Sequence, residues 1–375
     1  MFLSLNQIII LVFLPFFISF LSQFFLVKFS LKKELCIDNP EDEKPQGFHD
    51  IPTPRSGGLG IFLSLLISFW LLTISEGLSF INMSLNEDYF FRLTTHQSPM
   101  LSSLLLSSLP AFLAGFYEDL SANIKPKLRL FVISLGAILA IVLMDAVIHD
   151  IGLFELPLWM AIPFTIFAII GVTNSINLID GFNGLAGGVS IIILVSFSIA
   201  SYIQGDQLIF IMSFVLLFTI AGFFVWNFPK ARIFLGDGGA YLIGFLFATI
   251  SVLMVKRNPG ISSWFPLVVL AYPVFDTIFS IYRRFANGGS ALKADRYHLH
   301  SLIYKHISSN NPKTSVPIWI LVGFLNAIAL LFSSNTPILI LIFILFATIY
   351  IFLYRKVLSF ESKGEDLPAG IKLKP

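Results

Sequence analysis

The chain has 375 residues, of which 56% are hydrophobic and only 12% are charged. A soluble domain normally carries about 25% charged residues, so this composition excludes an ordinary soluble protein. The net charge of +2 indicates no particular partner. The single cysteine, Cys36, excludes an intramolecular disulfide.

Apolar runs recur along the whole chain at the length of about 20 residues that a helix needs to cross a bilayer. We therefore predict an all-α polytopic membrane protein with about eleven transmembrane helices in one integral membrane domain, residues 1–375. A β-barrel is excluded because continuous runs such as Ile318–Phe332 do not alternate as barrel strands do. The predicted spans are 5–27, 57–75, 100–117, 128–148, 157–173, 185–203, 207–228, 238–255, 263–282, 316–333 and 336–354.

The distribution of lysine and arginine predicts the orientation, because cytoplasmic loops carry an excess of both. With the N-terminus outside and the C-terminus cytoplasmic, Arg92, Lys256 and Arg257 are the outside members of the 24 Lys and Arg residues. The first span lacks the basic n-region and cleavage site of a signal peptide. The predicted cytoplasmic catalytic loops lie near 28–56, 117–128, 174–184, 229–237 and 283–316.

One polar stretch stands out between two apolar runs: residues 174–188, N-S-I-N-L-I-D-G-F-N-G-L-A-G-G. Four other polar segments fall on the same predicted face. They are H-D-I-P-T-P-R-S-G-G-L-G from residue 49, G-F-Y-E-D-L-S-A-N-I-K-P-K-L-R from 115, N-F-P-K-A-R-I-F-L-G-D-G-G-A-Y from 227, and the segment 283–306, which contains D-R-Y-H-L-H-S-L.

Carboxylates with amide oxygens suit Mg²⁺, which usually shares its ligands with substrate phosphates. Basic side chains and glycine-exposed backbone N–H groups suit the phosphates themselves. A metal and cations around phosphates are what phosphoryl transfer requires. We therefore hypothesise a site at the cytoplasmic membrane surface that joins a soluble nucleotide donor to a lipid acceptor.

Each element also has a structural interpretation. The pair Glu118–Asp119 could end a solvated helix, and Asp237 could cap a helix N-terminus. Asp276 could form an intramembrane ion pair with Arg283. The histidines His298 and His300 could lie in a surface loop, and the basic residues of 125–129 could serve topology alone. Zinc is disfavoured because the chain has no Cys–His cluster.

The order of the motifs resembles the polyprenyl-phosphate N-acetylhexosamine-1-phosphate transferase family (glycosyltransferase family 4), which includes the phospho-N-acetylmuramoyl-pentapeptide transferase. The resemblance covers about residues 45–305 and is carried by N-S-I-N-L-I-D-G-F-N-G-L-A-G-G, F-L-G-D-G-G-A-Y-L-I-G, P-T-P-R-S-G-G-L-G and D-R-Y-H-L-H-S-L. It implies transfer of a sugar-1-phosphate from a UDP-N-acetylhexosamine to polyprenyl (undecaprenyl) phosphate, which gives a polyprenyl-diphosphate sugar and UMP. It also implies Mg²⁺, with Mn²⁺ as an alternative, and a bacterial cytoplasmic (inner) membrane with the active site on the cytoplasmic face.

The resemblance implies roles for individual residues. Asp237 would be the principal Mg²⁺ ligand, and Asn177 would place an amide beside the metal. Asp119 matches the second acid of the family's acidic pair and would deprotonate or orient the attacking lipid phosphate, and its neighbour Glu118 would also belong to the catalytic group. The nucleotide- and substrate-binding residues would be Asn174, Asp180, Asn183, Phe234, Lys125, Arg296, His298 and His300, with Phe234 stacking on the uracil and the histidines meeting the diphosphate or sugar.

The chain departs from the family in one place, since Glu118 stands where the family usually has aspartate. The longer side chain moves the carboxylate by roughly 1 Å, which can matter at a catalytic site. This departure bears on the role of Glu118 more than on that of Asp119.

Several alternatives stay open. The H-L-H motif favours a transferase that initiates a surface glycan such as O-antigen over the pentapeptide transferase, which commonly has three adjacent histidines. N-acetylglucosamine and N-acetylfucosamine are both candidate sugars. A lipid or solute transporter would need acids near the midplane of several spans, and an inactive scaffold is a third class. We expect no nucleic-acid partner.

Overall fold

The computed structural model describes residues 9–39, 51–81, 98–121, 124–288, 295 and 297–359. Within these ranges the chain forms helices joined by short connections, and the prediction of an all-α polytopic membrane protein is confirmed. The helices are α1 (Leu14–Lys33, after a π-helical turn Ile9–Phe13), α2 (Gly57–Ile81), α3 (Ser98–Ser121), α4 (Pro126–Met144), α5 (Leu158–Ile179), α6 (Leu185–Gln204), α7 (Gln207–Asn227), α8 (Gly236–Arg257), α9 (Trp264–Val269), α10 (Ala271–Ala286), α11 (Leu299–Ile303, before a π-helical turn Tyr304–Ser308), α12 (Asn311–Leu331) and α13 (Thr336–Leu358).

Nine of the described helices are long and apolar enough to cross a membrane, namely α1 with its π-helical turn, α3 to α8, α12 and α13. Helix α2 contributes a shorter apolar stretch, Gly57–Thr73. The described connection before α2 contains a two-residue antiparallel pair, β1 (Ile37–Asp38) and β2 (Thr53–Pro54).

The predicted span 263–282 is wrong as a single helix, because the chain breaks at Leu270 between α9 and α10. Pro273 explains the break. It has no N–H to donate to the carbonyl of Val269, and its ring would clash with that carbonyl in a continuous helix. The apolar composition predicted a crossing here, but it did not reveal that two helices make it.

Three of the predicted catalytic loops are shorter than expected, which is a second correction. Helix α3 continues through Glu118 and Asp119, and α5 continues through Asn177 to Ile179. Helix α10 continues to Ala286, inside the predicted loop 283–316. Because intrahelical hydrogen bonds satisfy their backbone, helices can carry polar side chains beyond the apolar run that predicts them.

Helix α8 is the core of the bundle, with buried side chains on every face. It packs against α2, α3 and α5. At the crossing with α2 the backbones touch, since a Cβ on Gly58 would lie 2.2 Å from the backbone nitrogen of Gly239. Small residues at such crossings let helices in a membrane approach closely enough for dispersion contacts.

Helix termini collect at two ends of the bundle. At one end, named here the Asp237 end, the C-termini of α3 and α5 meet the N-termini of α2 and α8 through side-chain contacts of Asp119, Asn177 and Asp237. At the opposite end the C-terminus of α8 meets the N-terminus of α7, where Arg257 pairs with Asp206 at 2.8 Å. Consecutive long helices therefore run alternately in opposite directions.

The glycine contact between α2 and α8 generates a prediction. Gly58→Ala should lower the free energy of unfolding by about 1–3 kcal/mol, because the added methyl group has no space against the backbone of Gly239. Gly323→Ala in α12 is the matched control, since a Cβ there meets no atom within 4 Å. Thermal unfolding of the detergent-solubilised proteins measures both, and equal melting temperatures for the two variants would contradict the prediction.

A candidate active site at the N-terminus of helix α8

Asp237 lies in the first turn of α8, directly after Gly236, whose backbone conformation and close contacts require glycine. Gly236 has φ +75°, in the left-handed region. A Cβ at this position would lie 2.2 Å from the carbonyl oxygen of Arg55 and 2.6 Å from Oδ2 of Asp119. The G-D-G-G motif therefore brings the start of α8 into direct contact with two other segments of the chain.

Asp119 holds this start of α8 in place. Its Oδ1 accepts a hydrogen bond from the backbone N–H of Asp237, and its Oδ2 accepts one from that of Gly238, both at 2.9 Å. The carboxylate thus satisfies two of the N–H groups that a helix N-terminus leaves unpaired. Its side chain is only 1% exposed. The cap of α8 therefore comes from α3, whereas the sequence left open that Asp237 itself was the cap.

The carboxylate of Asp237 is held by two donors from other helices and loops. Asn177 Nδ2 donates to its Oδ1 at 2.5 Å, and Arg55 Nη2 donates to its Oδ2 at 2.9 Å. The same Arg55 nitrogen lies 3.5 Å from Oδ1 of Asp119. Burial opposes the charge of Arg55, but the carboxylates of Asp237 and Asp119 outweigh it and raise the pKa of the guanidinium above its usual range.

Glu118 and Asp119 face different surroundings. Both carboxylate oxygens of Glu118 accept hydrogen bonds from Arg129 Nη1, each at 3.3 Å. The guanidinium of Arg129 also lies over the ring of Tyr241, 5.4 Å from its centroid. Glu118 and Arg129 both line the cavity described next, whereas the carboxylate of Asp119 lies behind that wall.

The site opens into a cavity of about 1290 Å³ that runs between α4, α5, α8, α9 and α10. At the Asp237 end its wall is polar and charged. Its middle is apolar, and it reaches residues 147–150 at the opposite end of the bundle. The apolar wall includes Phe164, Phe167, Val252, Val255, Ile278 and Ile281. One continuous cavity therefore joins a charged site to an apolar middle that extends toward the opposite end of the bundle.

Three of the predicted binding residues line this cavity: Asn174, Asp180 and Phe234. Asn174 uses its amide nitrogen to bond the carbonyl of Ile170 one turn earlier, at 2.8 Å. Burial and, secondarily, the charge of Asp237 raise the pKa of Asp180 to about 7. A carboxyl that resists ionisation beside a second carboxylate indicates a place where an added cation would be favourable.

Two other predicted residues lie away from the cavity wall. Asn183 joins loops, since its Nδ2 donates to the carbonyl of Pro229 at 3.0 Å and its N–H donates to Asn311 Oδ1 at 2.7 Å. The side chain of Lys125 is exposed at the start of α4. Their predicted substrate contacts stay predictions. Arg296 lies outside the described residues.

The histidines His298 and His300 are buried, each with 1% exposure, so their interpretation as a surface loop is wrong. His298 Nδ1 lies 2.6 Å from Asp276 Oδ2, and His300 Nδ1 lies 3.1 Å from the hydroxyl of Tyr272. The expected partner of Asp276 was Arg283, which instead donates to Asp295 at 3.0 Å. Burial lowers the pKa of His300 to about 3, so its imidazole is neutral near pH 7.

The sequence assigned no site role to three arginines that line the cavity, namely Arg55, Arg129 and Arg284. The sequence places each of the three arginines in or beside a motif that could have indicated a site role. Arg55 lies inside the P-T-P-R-S-G-G-L-G motif, Arg129 ends the acidic–basic segment, and Arg284 closes an R-R pair. Their guanidinium groups make the charged end of the cavity suited to phosphate oxygens.

The donors present fit a magnesium ion of the kind that shares its ligands with substrate and water. Among the described residues, no group of three or more His, Cys, Asp or Glu side chains could hold a metal alone. Asp237 and Asp180 offer carboxylate oxygens at the same end of the cavity, and Asn177 offers an amide. Mg²⁺ is usually held by one or two carboxylates together with phosphates, so this sparse set is compatible with it.

Fold and site together define the class: an integral membrane protein with a charged site, suited to phosphate groups, at one end of a long apolar cavity. Comparisons with known proteins agree. A family model described as "Glycosyl transferase family 4" matches residues 101–255, which include Asp119, Asn177 and Asp237. This match and the named relatives below support the resemblance that the motifs predicted.

Two of the named relatives have nearly the same transferase name. The chain is 29% identical over 324 residues to a probable undecaprenyl-phosphate N-acetylglucosaminyl 1-phosphate transferase of Bacillus subtilis, covering 84% of this chain and 82% of the relative. It is 27% identical over 323 residues to an undecaprenyl-phosphate alpha-N-acetylglucosaminyl 1-phosphate transferase of Thermotoga maritima, covering 86% and 90%. It is 26% identical over 259 residues to a phospho-N-acetylmuramoyl-pentapeptide-transferase of Streptococcus pneumoniae, covering 67% and 73%.

Asp119 and Glu118 have different surroundings, so we predict that removing their charges has different effects on stability. Asp119→Asn should lower the free energy of unfolding by about 2 kcal/mol, because the amide nitrogen cannot accept from the α8 backbone and a charge-assisted hydrogen bond is lost. Glu118→Gln should leave stability within about 0.5 kcal/mol, since its carboxylate is partly exposed and only one arginine pairs with it. Thermal unfolding compares them, and a larger loss for Glu118→Gln would contradict the geometry.

Proposed function

We propose that the protein transfers a sugar-1-phosphate from a UDP-N-acetylhexosamine to undecaprenyl phosphate, the initiating step of a surface glycan. One observation carries the proposal: the Asp237 cluster lies at the end of a continuous apolar cavity. Such a cavity can hold an isoprenoid chain while its charged end meets a nucleotide sugar. The names of the Bacillus subtilis and Thermotoga maritima relatives support the same donor and acceptor.

In the proposed reaction an oxygen of the lipid phosphate attacks the β-phosphorus of the UDP-sugar. The bond from this phosphorus to the bridging oxygen breaks, UMP leaves, and the sugar keeps its bond to the transferred phosphate. Catalysis of this kind is mostly positioning and charge stabilisation. Arg55, Arg129 and Arg284 line the space in which phosphate oxygens would lie.

Asp237, Asn177 and Asp180 would hold Mg²⁺, which offsets charge on the diphosphate when it is bound. This chain's own residues then have separate tasks. Arg55 and Asn177 orient the Asp237 carboxylate through its two oxygens. Phe234, at the cavity wall, is placed to stack on a nucleobase. Glu118 is the acid of the adjacent pair that reaches the cavity, while Asp119 fixes the start of α8.

The pentapeptide transferase activity is the second candidate, because a relative with that name matches over 67% of this chain. The two functions differ in the donor and share the lipid acceptor. A panel of donors therefore separates them. A transporter has less support, because the described charged side chains of the cavity concentrate at the Asp237 end and not at its midpoint.

The proposed site gives a direct prediction. Asp237→Asn should lower Mg²⁺-dependent UMP release at least about 100-fold, because a carboxylate that orients the metal and diphosphate is lost. Membranes containing the protein are incubated with undecaprenyl phosphate and UDP-N-acetylglucosamine, UDP-N-acetylfucosamine or the UDP-N-acetylmuramoyl-pentapeptide, and the lipid product is identified by its mass.

Glu155→Gln is the control for charge removal, since Glu155 is exposed at the opposite end of the bundle. It should keep full activity. Undiminished UMP release from Asp237→Asn contradicts the site. No UMP release from the unmodified protein with any donor contradicts the function.

We further propose that the Asp237 end faces the cytoplasm, with eleven crossings if α9 and α10 count as one. Cys36 reports on this orientation, because it is the single cysteine and its backbone carbonyl accepts from the N–H of Arg55 at 2.7 Å. An impermeant maleimide should label Cys36 in inside-out vesicles and not in intact cells. Burial and, secondarily, the charge of Asp119 raise the pKa of the Cys36 thiol, so labelling should accelerate as the pH rises above 8.

A variant with Cys36→Ser and Glu155→Cys supplies the control, because residue 155 is exposed at the opposite end. It should be labelled in intact cells. Labelling of Cys36 in intact cells would overturn the proposed orientation.

A further inference from the structure

Helix α10 presents two different faces at helical spacing. One face lines the cavity with Val274, Ile278 and Ile281 and ends in Arg284. The other face is polar and buried, and it contains Tyr272, Asp276, Ser280 and Arg283. Residues three or four apart share one side of a helix, so each set forms a continuous stripe.

The segment 295–300, of which Arg296 is not described, runs antiparallel along the polar face of α10. Asp295 accepts from Arg283 Nη2 at 3.0 Å. Nearer the start of α10, His298 Nδ1 lies 2.6 Å from Asp276 Oδ2 and 3.3 Å from Ser280 Oγ. Two residues further along the segment, His300 meets the hydroxyl of Tyr272. Each of the three named residues of the D-x-x-H-x-H motif, Asp295, His298 and His300, therefore contacts the polar face of α10.

Helix α13 adds a contact to the same carboxylate. The hydroxyl of Tyr350 donates to Asp276 Oδ1 at 2.5 Å, and the backbone N–H of Leu299 donates to the same oxygen at 3.3 Å. The ring of Tyr350 packs edge-on against Phe275 and Phe279 of α10. Three segments of the chain thus converge on one carboxylate.

The burial of Asp276 makes these contacts strong constraints. Its side chain has 0% exposure, and a buried carboxylate without partners is unfavourable by several kcal/mol. Both of its oxygens accept hydrogen bonds, so the network is satisfied only when α10, α11 and α13 keep their mutual positions.

The network reaches the cavity through Arg284. Arg284 Nε donates to Asp295 Oδ2 at 2.9 Å, and its Nη2 lies 3.5 Å from His298 Nε2. Hydrogen bonds from Arg284 and Arg283 outweigh the effect of burial and lower the pKa of Asp295 to about 2, so this carboxylate stays ionised. The guanidinium that lines the cavity is therefore held from behind by the motif that Asp276 anchors.

We propose that Asp276, His298 and Tyr350 are positioning residues that fix Arg284 at the cavity wall, where it binds phosphate oxygens of a substrate. The inference rests on the proposed transferase function. His298 then acts through Arg284 and touches no substrate, and Tyr350 of α13 belongs to the positioning network of the site. An arginine fork suits either the diphosphate of the nucleotide sugar or the phosphate of the lipid.

Tyr350→Phe tests the proposal, because it removes the hydroxyl and keeps the ring. We expect kcat/KM for UMP release to fall about tenfold, since a hydrogen bond to a buried charge is lost. A rise in the KM of the nucleotide sugar assigns Arg284 to the donor, and a rise in that of the lipid phosphate assigns it to the acceptor. An unchanged kcat/KM overturns the proposal.

Tyr354→Phe is the matched control. Tyr354 lies one turn further along α13 and is 1% exposed, and its hydroxyl has no hydrogen-bond partner among the described residues. This variant should keep kcat/KM within twofold of the unmodified protein. A tenfold loss in Tyr354→Phe as well would show a general packing effect and overturn the specific role of Tyr350.

The link to Arg284 is tested by combining changes. In an Arg284→Lys background, which keeps the charge beside Asp295, Tyr350→Phe should lower kcat/KM less than twofold. The guanidinium group that Tyr350 would position is absent from this background. A further tenfold loss would mean that Tyr350 acts independently of Arg284, and it would overturn the proposal.

A measurement that needs no turnover separates this inference from the proposed function. Tyr350→Phe should increase amide hydrogen exchange in residues 271–286 and 297–303, and Tyr354→Phe should not. Unchanged exchange overturns the inference even in an active enzyme. No UMP release from the unmodified protein contradicts the proposed function, and the exchange measurement then decides whether the positioning network exists.

Discussion

The carboxylate of Asp119 at the N-terminus of α8 is the contact on which the arrangement of the site depends. Helix α8 is largely buried among other helices, and its first turn leaves backbone N–H groups without intrahelical partners. Asp119 supplies two acceptors, and its negative charge favours the positive end of the helix dipole. Arg55 lies between Asp119 and Asp237 and attracts both carboxylates. One carboxylate thereby joins the end of α3, the approach to α2 and the start of α8.

This contact also explains how two adjacent acids serve different purposes. Successive side chains on a helix point about 100° apart, so neighbours in the last turn of α3 cannot both face the same partner. Asp119 faces α8, and Glu118 faces the cavity and Arg129. The longer side chain of glutamate extends from the helix toward the cavity, where an added methylene changes reach without disturbing the cap. The departure from the family pattern therefore falls on the acid that does not hold the fold together.

The sequence predicted the helical membrane architecture well because repeated apolar runs of bilayer length are typical of membrane-spanning helices and rare in soluble domains. It placed the helix ends less well, since Glu118 and Asn177 continue helices beyond the apolar runs. The motifs located Asp237, Asn177, Asp180 and Phe234 at one site. They could not show that Asp119 turns away from the cavity or that His298 lies behind Arg284, because those facts depend on the rotation of each helix against its neighbours.

The break at Leu270 allows one helix, α10, to join the cavity wall to the histidine motif. The break after α9 gives α10 its own direction and rotation, with the apolar stripe on the cavity and the polar stripe on the histidine motif. The apolar stripe continues the channel that the rest of the cavity forms with α5 and α8. The polar stripe ties that wall to α13, which lies beyond the part of the chain that the family model matches. Helix α13 therefore contributes to the surroundings of the site as well as to the bundle, because its Tyr350 holds the Asp276 carboxylate behind the cavity wall.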